Sequence, residues 1–262
     1  GQLLVRLADL SENTLAAFRL GASHGYRMFE CDVKLSADGV PFLMHDATLS
    51  RTTNASKVPL ALGESAQLAP DSIANPTSLV GGGWSWGRLA QLDAGSWHSR
   101  TFAGEPLPTL DNIAAFCIRN GYCLNIEIKP TPGLERHTGE VVAQHAERLW
   151  AGQAVPPLLT SFEPDALRGA MDAAPALPRG LLLDTLWNGW FDIARALDVA
   201  ACVTNYALMD AALIGQLHGA GLRALVYTVN DASEAQRLLR LGIDGMITDA
   251  VDKFSPGTSV LD

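Results

Sequence analysis

Positive charge is scarce in this chain. Its 262 residues carry 19 Lys and Arg against 28 Asp and Glu, a formal net charge of −9. Phosphate backbones are held chiefly by clustered Lys and Arg, so no nucleic-acid partner is expected. Cysteine is also sparse. Cys31, Cys117, Cys123 and Cys202 include no Cys-x-x-Cys pair, which argues against a structural zinc site and a disulfide framework. No apolar run reaches the roughly 18 residues of a membrane span. No basic stretch followed by an apolar one opens the sequence, so neither a span nor a signal peptide is expected and the location reads as cytoplasmic. A G-x-G-x-x-G turn after the first strand candidate is missing too, which counts against an open nucleotide-binding sheet. Apolar side chains, in contrast, are plentiful. They make up 48% of the residues, with 18% charged, a balance that excludes disorder and supports a sizeable core.

Short apolar runs recur along the whole length at 3–5, 28–35, 124–128, 158–162, 180–184, 202–205, 223–229 and 245–249. Helical spacing follows most of them, as at Leu15, Phe18 and Ala22 behind the cap candidates Ser11 and Asn13, and at 109–119, 164–171, 210–220 and 232–241. Gly221 and Gly242 stand where two helices should end. Regular strand–helix alternation argues for a parallel sheet. Eight such units in this length predict an α/β fold, a (β/α)8 TIM barrel forming a single domain over 1–262; an open doubly wound sheet is the alternative. One region breaks the alternation. Ser36-Ala37-Asp38-Gly39 reads as a hairpin turn, with 40–45 running back antiparallel as an extension of the second strand. The following segment, about 46–108, has little periodicity and reads as an inserted cap. Within it 85–92 suits one short helix, 81–83 reads as loop, and 55–83 is the least patterned part. The tryptophans at 84, 86 and 97 suit a small core of that insertion better than a substrate wall.

Alternation along 28–35 places Glu30, Asp32 and Lys34 on one face and Phe29, Cys31, Val33 and Leu35 on the other. Asn125, Glu127 and Lys129 share a face of the 124–129 run in the same way. Barrel strands present their C-terminal ends to the mouth where active sites are built. Glu30, Asp32 and Glu127 could therefore converge on one hard divalent cation, Mg²⁺ or Ca²⁺. An ion-pair network with Lys34 and Lys129 is the competing reading. A cation would give an acidic chain a local positive field with few residues. His45 lies in Met44-His45-Asp46 at the end of the returning hairpin arm, near the same mouth. Beside three acids and a Lys it is a candidate for proton transfer. The histidines at 24, 98, 137, 145 and 218 fall on helical or loop patterns and read as surface or packing residues. Ser161-Phe162 and Tyr227–Asn230 close two later strands at mouth positions.

The motifs in this order carry a resemblance. Glu12-Asn13-Thr14-Leu15, Phe29-Glu30-Cys31-Asp32-Val33-Lys34-Leu35-Ser36-Ala37-Asp38-Gly39, Met44-His45-Asp46, Leu49-Ser50-Arg51-Thr52, Asn125-Ile126-Glu127-Ile128-Lys129-Pro130, Ser161-Phe162 and Thr248-Asp249 resemble the glycerophosphodiester phosphodiesterase family. Asp93-Ala94-Gly95-Ser96-Trp97 and Tyr227-Thr228-Val229-Asn230 are similar to its cytoplasmic bacterial branch. The resemblance implies a (β/α)8 barrel, a divalent cation, and hydrolysis of a small-molecule glycerophosphodiester to sn-glycerol 3-phosphate and an alcohol. It places Glu30, Asp32 and Glu127 as metal ligands, His45 as one of two catalytic histidines, and Lys129 as the basic residue facing the phosphate. Oligomeric state is not legible.

Two departures from the family pattern stand out. The family's first strand ends in His-Arg-Gly, and that His is the second proton-transfer group. Here 3–11 reads Leu-Leu-Val-Arg-Leu-Ala-Asp-Leu-Ser, and no histidine precedes His24. Setting Arg6 on the family's arginine puts Val5 in the histidine's place, and counting back from Glu12 without a gap puts Leu3 there. The segment 55–83 is also longer than the family loop. A catalytically impaired or inactive member that binds glycerol phosphates is therefore the alternative to a working enzyme.

Overall fold

The computed structural model describes residues 13–57 and 80–254, and the backbone alone of 2–5. Arg6, Ser11, Glu12 and the central part of the unpatterned segment lie outside the described residues. Nine strands alternate with eight helices among those described. They are β1 Gln2–Val5, α1 Leu15–Ser23, β2 Met28–Leu35, β3 Pro41–Leu43, α2 Trp86–Leu89, α3 Leu110–Asn120, β4 Cys123–Ile128, α4 Glu135–Leu149, β5 Leu158–Ser161, α5 Pro164–Ala173, β6 Arg179–Leu183, α6 Trp190–Ala196, β7 Ala201–Asn205, α7 Ala211–Gly219, β8 Arg223–Tyr227, α8 Ala232–Leu241 and β9 Gly245–Thr248. The sheet order is β1-β9-β8-β7-β6-β5-β4-β2-β3, and β1 also pairs with β2 through Val5 and Phe29. That last pairing joins the two ends of the parallel run, so eight parallel strands form an α/β barrel. β3 is left outside as an antiparallel partner of β2, in the register Val33–Leu43, Lys34–Phe42, Leu35–Pro41. The hairpin turn is built as the sequence suggested: Gly39 adopts φ 81° and donates its N–H to the Ser36 carbonyl at 3.0 Å.

Local chemistry explains where the helices begin and end. Thr109 and Asn112 form a reciprocal capping box on α3, Asp210 accepts from the Leu213 N–H on α7, and Gly242 at φ 85° closes α8. On α1 the cap is Thr14, whose hydroxyl accepts from Ala17 N at 3.3 Å. The expectation of Asn13 as cap is thereby corrected, because Asn13 sits one position earlier at φ 59° with its side chain engaged elsewhere. Helices α4 and α6 had not been singled out from the sequence.

The main core lies between the outer faces of the strands and the helices, where Phe29, Cys31, Val33, Ile126, Ile128 and Leu181 are buried. A second, smaller core joins the hairpin arm to the segment after it, through Phe42, Met44, Leu49, Trp84, Leu89 and Leu107. Trp84 is thus a packing residue, and α2 occupies half of the helix expected at 85–92. None of the helices described is long and apolar enough to cross a membrane.

Helices α4 and α5 pack backbone to backbone. A Cβ at Gly139 would stand 1.8 Å from the Ala166 carbonyl oxygen, and one at Gly169 2.1 Å from that of Arg136. Gly215 on α7 has nothing within 4 Å of such an atom. Gly169→Ala should therefore destabilise the fold by about 3 kcal/mol or more, as overpacking against rigid backbone does. Gly215→Ala should stabilise it by about 0.4–1 kcal/mol through the unfolded chain. Urea unfolding of the two variants checks the pair; equal midpoints would show that α4 and α5 do not pack this closely.

Candidate active site

Strands β2 and β4 run parallel with Glu30 opposite Asn125 and Asp32 opposite Glu127. The alternation that buries Phe29, Cys31 and Val33 outward turns Glu30, Asp32 and Lys34 to the other face. The three acids are almost wholly enclosed, with exposures of 6% for Glu30, 0% for Asp32 and 4% for Glu127. One carboxylate oxygen from each lies within 4.8 Å of the other two. Buried like charges at this spacing repel strongly and raise the cost of ionisation unless a cation sits among them. Lys129 supplies part of the answer, with Nζ 3.2 Å from Asp32 Oδ1 and 3.8 Å from Glu127 Oε1. Lys34 is buried on the same face. Burial first, and then the neighbouring Lys129, push its ammonium down to about 8, against the pull of Asp32, Glu127 and Asp46. The donor set is all oxygen, anionic and compact. It fits a hard divalent cation and offers no sulfur or imidazole to a softer metal.

A fourth residue orients this cluster. Asn13 donates from Nδ2 to Asp32 Oδ2 at 2.9 Å and accepts from the Asp32 backbone N–H on its Oδ1 at 2.7 Å. Asn is among the few side chains that tolerate a positive φ, so this backbone conformation lets it face β2 just ahead of α1. The sequence carried the signal, an Asn two residues before a helical pattern, but the same signal describes a cap.

His45 stands two residues beyond β3. The arm is bound to β2 past the strand end, through Met44 N donating to the Asp32 carbonyl at 3.0 Å. Lys129 Nζ donates to the His45 carbonyl at 3.4 Å, which links the arm to the carboxylates. The ring of His45 pairs through Nδ1 with Asp46 Oδ1 at 2.8 Å. Asp46 in turn receives Arg51, from Nε to Oδ2 at 2.6 Å and from Nη2 to Oδ1 at 2.9 Å. Those Arg51 bonds, helped by His45 and opposed by burial, hold the Asp46 carboxyl down at about 2. The remaining histidines are elsewhere: His218 pairs with Asp244, His145 with the Val141 carbonyl, His98 with the Trp97 and Phe102 rings, His24 ends α1, and His137 is exposed on α4.

A small pocket opens beside Glu30 and Glu127, lined also by Asn125, by Leu182 and Ile247, and by Phe162 and Tyr227 from the ends of β5 and β8. Periodicity alone could not say which mouth residues face this space. Phe162 and Tyr227 do, edge to face at 5.7 Å between centroids, whereas Ser161 is buried with its hydroxyl on the Ile128 carbonyl.

The family model described as the glycerophosphoryl diester phosphodiesterase family matches residues 6–253. Among curated relatives, a glycerophosphodiester phosphodiesterase of Caldanaerobacter subterraneus is 28% identical over 248 residues, covering 92% of this chain and 89% of that protein. A phosphodiesterase from Oleispira antarctica, solved in complex with the product sn-glycerol-3-phosphate, superposes with a TM-score of 0.81 at 29% identity, covering 97% of this chain and 94% of that one. A glycerophosphodiester phosphodiesterase from Agrobacterium tumefaciens gives a TM-score of 0.73 at 25% identity, covering 97% and 99%.

Removing the Asn13 carboxamide strips a donor from a buried carboxylate and an acceptor from the Asp32 N–H. Asn13→Ala should lower Mg²⁺ or Ca²⁺ affinity by about 10–100-fold, the usual effect of losing a partner that orients a ligand. It should also cost roughly 1–3 kcal/mol of stability. Asn13→Gly keeps the positive φ without strain and should show the same loss of affinity. Titration calorimetry reads both, and unchanged affinity in the two variants would remove Asn13 from the site.

Proposed function

The chain belongs to the glycerophosphoryl diester phosphodiesterase family, and from that premise we propose metal-dependent hydrolysis of glycerophosphodiesters to sn-glycerol 3-phosphate and an alcohol, carried out by the chain as one catalytic unit. The observation that carries the reading is the convergence of Glu30, Asp32 and Glu127 within 4.8 Å, beside Lys129. These three residues would hold a divalent cation, Mg²⁺ or Ca²⁺. Bound there, it would neutralise phosphate charge and ease deprotonation of the attacking hydroxyl. Lys129 adds a fixed positive charge at the same point and would face a phosphoryl oxygen of the substrate. Phe162 and Tyr227 give the cavity an apolar wall suited to the carbon atoms of a small diester. Hydrolysis takes one proton from the nucleophile and gives one to the leaving alkoxide, and His45 is assigned one of these transfers. The product named for the Oleispira antarctica complex supports the glycerol phosphate side of the assignment.

Release of sn-glycerol 3-phosphate from glycerophosphocholine tests the reading, in Mg²⁺, in Ca²⁺ and in chelator. Product should form with a cation and vanish with chelator. His45→Ala should lower turnover by about 10²–10⁴-fold while cation affinity stays nearly unchanged. Glu127→Ala should lose both cation binding and turnover. Glycerol 3-phosphate binding without product under every condition would replace the enzyme by a binding protein.

A further inference from the structure

The residues around His45 are tied more firmly than proton transfer by an isolated imidazole requires. Asp46 bonds through both oxygens to the Nε and Nη2 of Arg51, and its Oδ1 is also the atom that meets His45 Nδ1. A bidentate guanidinium fixes the plane of a carboxylate as well as its charge. The guanidinium is itself placed from outside the hairpin, with its central carbon 5.6 Å from the centre of the Trp97 ring. Trp97 is anchored by Nε1 donating to the Ala94 carbonyl at 2.9 Å. The turn that carries it is closed by Asp93, which accepts from the N–H groups of Gly95, Ser96 and Gly104. Gly95 is confined to glycine there, since a Cβ would stand 1.8 Å from the Phe102 carbonyl oxygen. Asn54, three residues beyond Arg51, joins the two segments by bonding Asp93 through both its backbone and its side chain, at 3.1 and 3.0 Å.

We propose that Arg51 is a positioning residue for proton transfer, acting through Asp46 to hold His45 as the Nδ1–H tautomer and so leave Nε2 as the nitrogen that exchanges the proton. An ionised carboxylate only accepts, so the ring nitrogen facing it must carry hydrogen. The other nitrogen of the neutral ring is then the acceptor, and in the imidazolium it is the donor. Arg51 fixes the plane of the Asp46 carboxylate, and the Trp97 turn holds Arg51 in place. The Trp97 turn thereby reaches the His45 ring through two intervening side chains, Arg51 and Asp46. The proposal deepens the reading of His45 as a proton-transfer group and rests on it.

Two measurements on the full chain test it. Long-range ¹H–¹⁵N correlation with ¹⁵N-labelled histidine reports the tautomer directly, with the His45 signals assigned by their loss in His45→Ala. The wild-type ring should be Nδ1-protonated in its neutral form. Arg51→Ala should shift it toward the Nε2–H form, and Arg51→Lys, which keeps charge but not the fork, should fall between. This arm needs no turnover, so it stands even if the hydrolytic reading fails. The second arm is kinetic. Arg51→Ala should lower kcat by about 10–100-fold with KM nearly unchanged, the size of effect seen when a histidine loses its carboxylate support. In a His45→Ala background the same substitution should change kcat less than about 2-fold, because its whole effect passes through that ring. An unchanged tautomer in Arg51→Ala, or an equal loss of kcat in both backgrounds, would overturn the proposal and make Arg51 a substrate contact or a purely structural residue.

Discussion

Three buried carboxyl groups brought together at the mouth of the barrel are the constraint on which the site depends. Asp32 and Glu127 are register partners on adjacent parallel strands, and Glu30 lies one alternation back on the same face. That arrangement is costly in a protein interior, where each ionised carboxylate has lost most of its hydration. Every neighbouring feature offsets part of the cost. Lys129 stands beside two of the acids, Asn13 binds the other oxygen of Asp32, Oδ2, and Lys34 is buried on the same face. Two lysines among three carboxylates still leave the cluster net negative, and more so because burial pulls the Lys34 ammonium down to about 8. A divalent cation would complete the balance, and its charge would then supply the positive field that a phosphodiester requires.

The hairpin explains how His45, the proposed proton-transfer group, is tied to the carboxylate cluster. A parallel barrel has no antiparallel partner strand of its own, so a residue placed beside the β2 acids must come from a helix, a loop or an added arm. β3 is such an arm, pinned to β2 in register and continuing past it by the Met44–Asp32 backbone bond. The small core under Phe42, Met44 and Trp84 then fastens the arm to the segment that follows. His45 follows directly on this fastened arm, although the chain around it lies outside the repeating strand–helix pattern.

Much of this was legible in the residues. The alternation at 28–35 and 124–129 gave the shared face of the acids and Lys129, because a strand's period of two leaves little freedom once one face is buried. Asp38-Gly39 gave the hairpin for a similar reason, as Gly39 adopts the positive φ that tight turn needs. The supporting contacts were not legible. Asn13 meets Asp32 across 19 positions, and Trp97 meets Arg51 across the whole insertion, so no local period encodes either pair. Asn13 also shows how one residue type can serve two ends: the carboxamide suited to capping a helix is equally suited to clamping a neighbouring strand, and Thr14 was the better cap.

The missing histidine of the family's first motif gives the His45 surroundings their significance. With two histidines, as the family pattern implies, one ring would take a proton while the other gives one. Among the described residues, His45 is the histidine tied to this cluster, through the bond from Lys129 to its carbonyl, and its Nδ1 meets an Asp46 held through both oxygens. Rate then depends more heavily on that ring being in the right protonation state and plane at each turnover. A chain with a single positioned imidazole gains most from fixing it, and the Asp46–Arg51–Trp97 contacts are the physical means by which this fold does so.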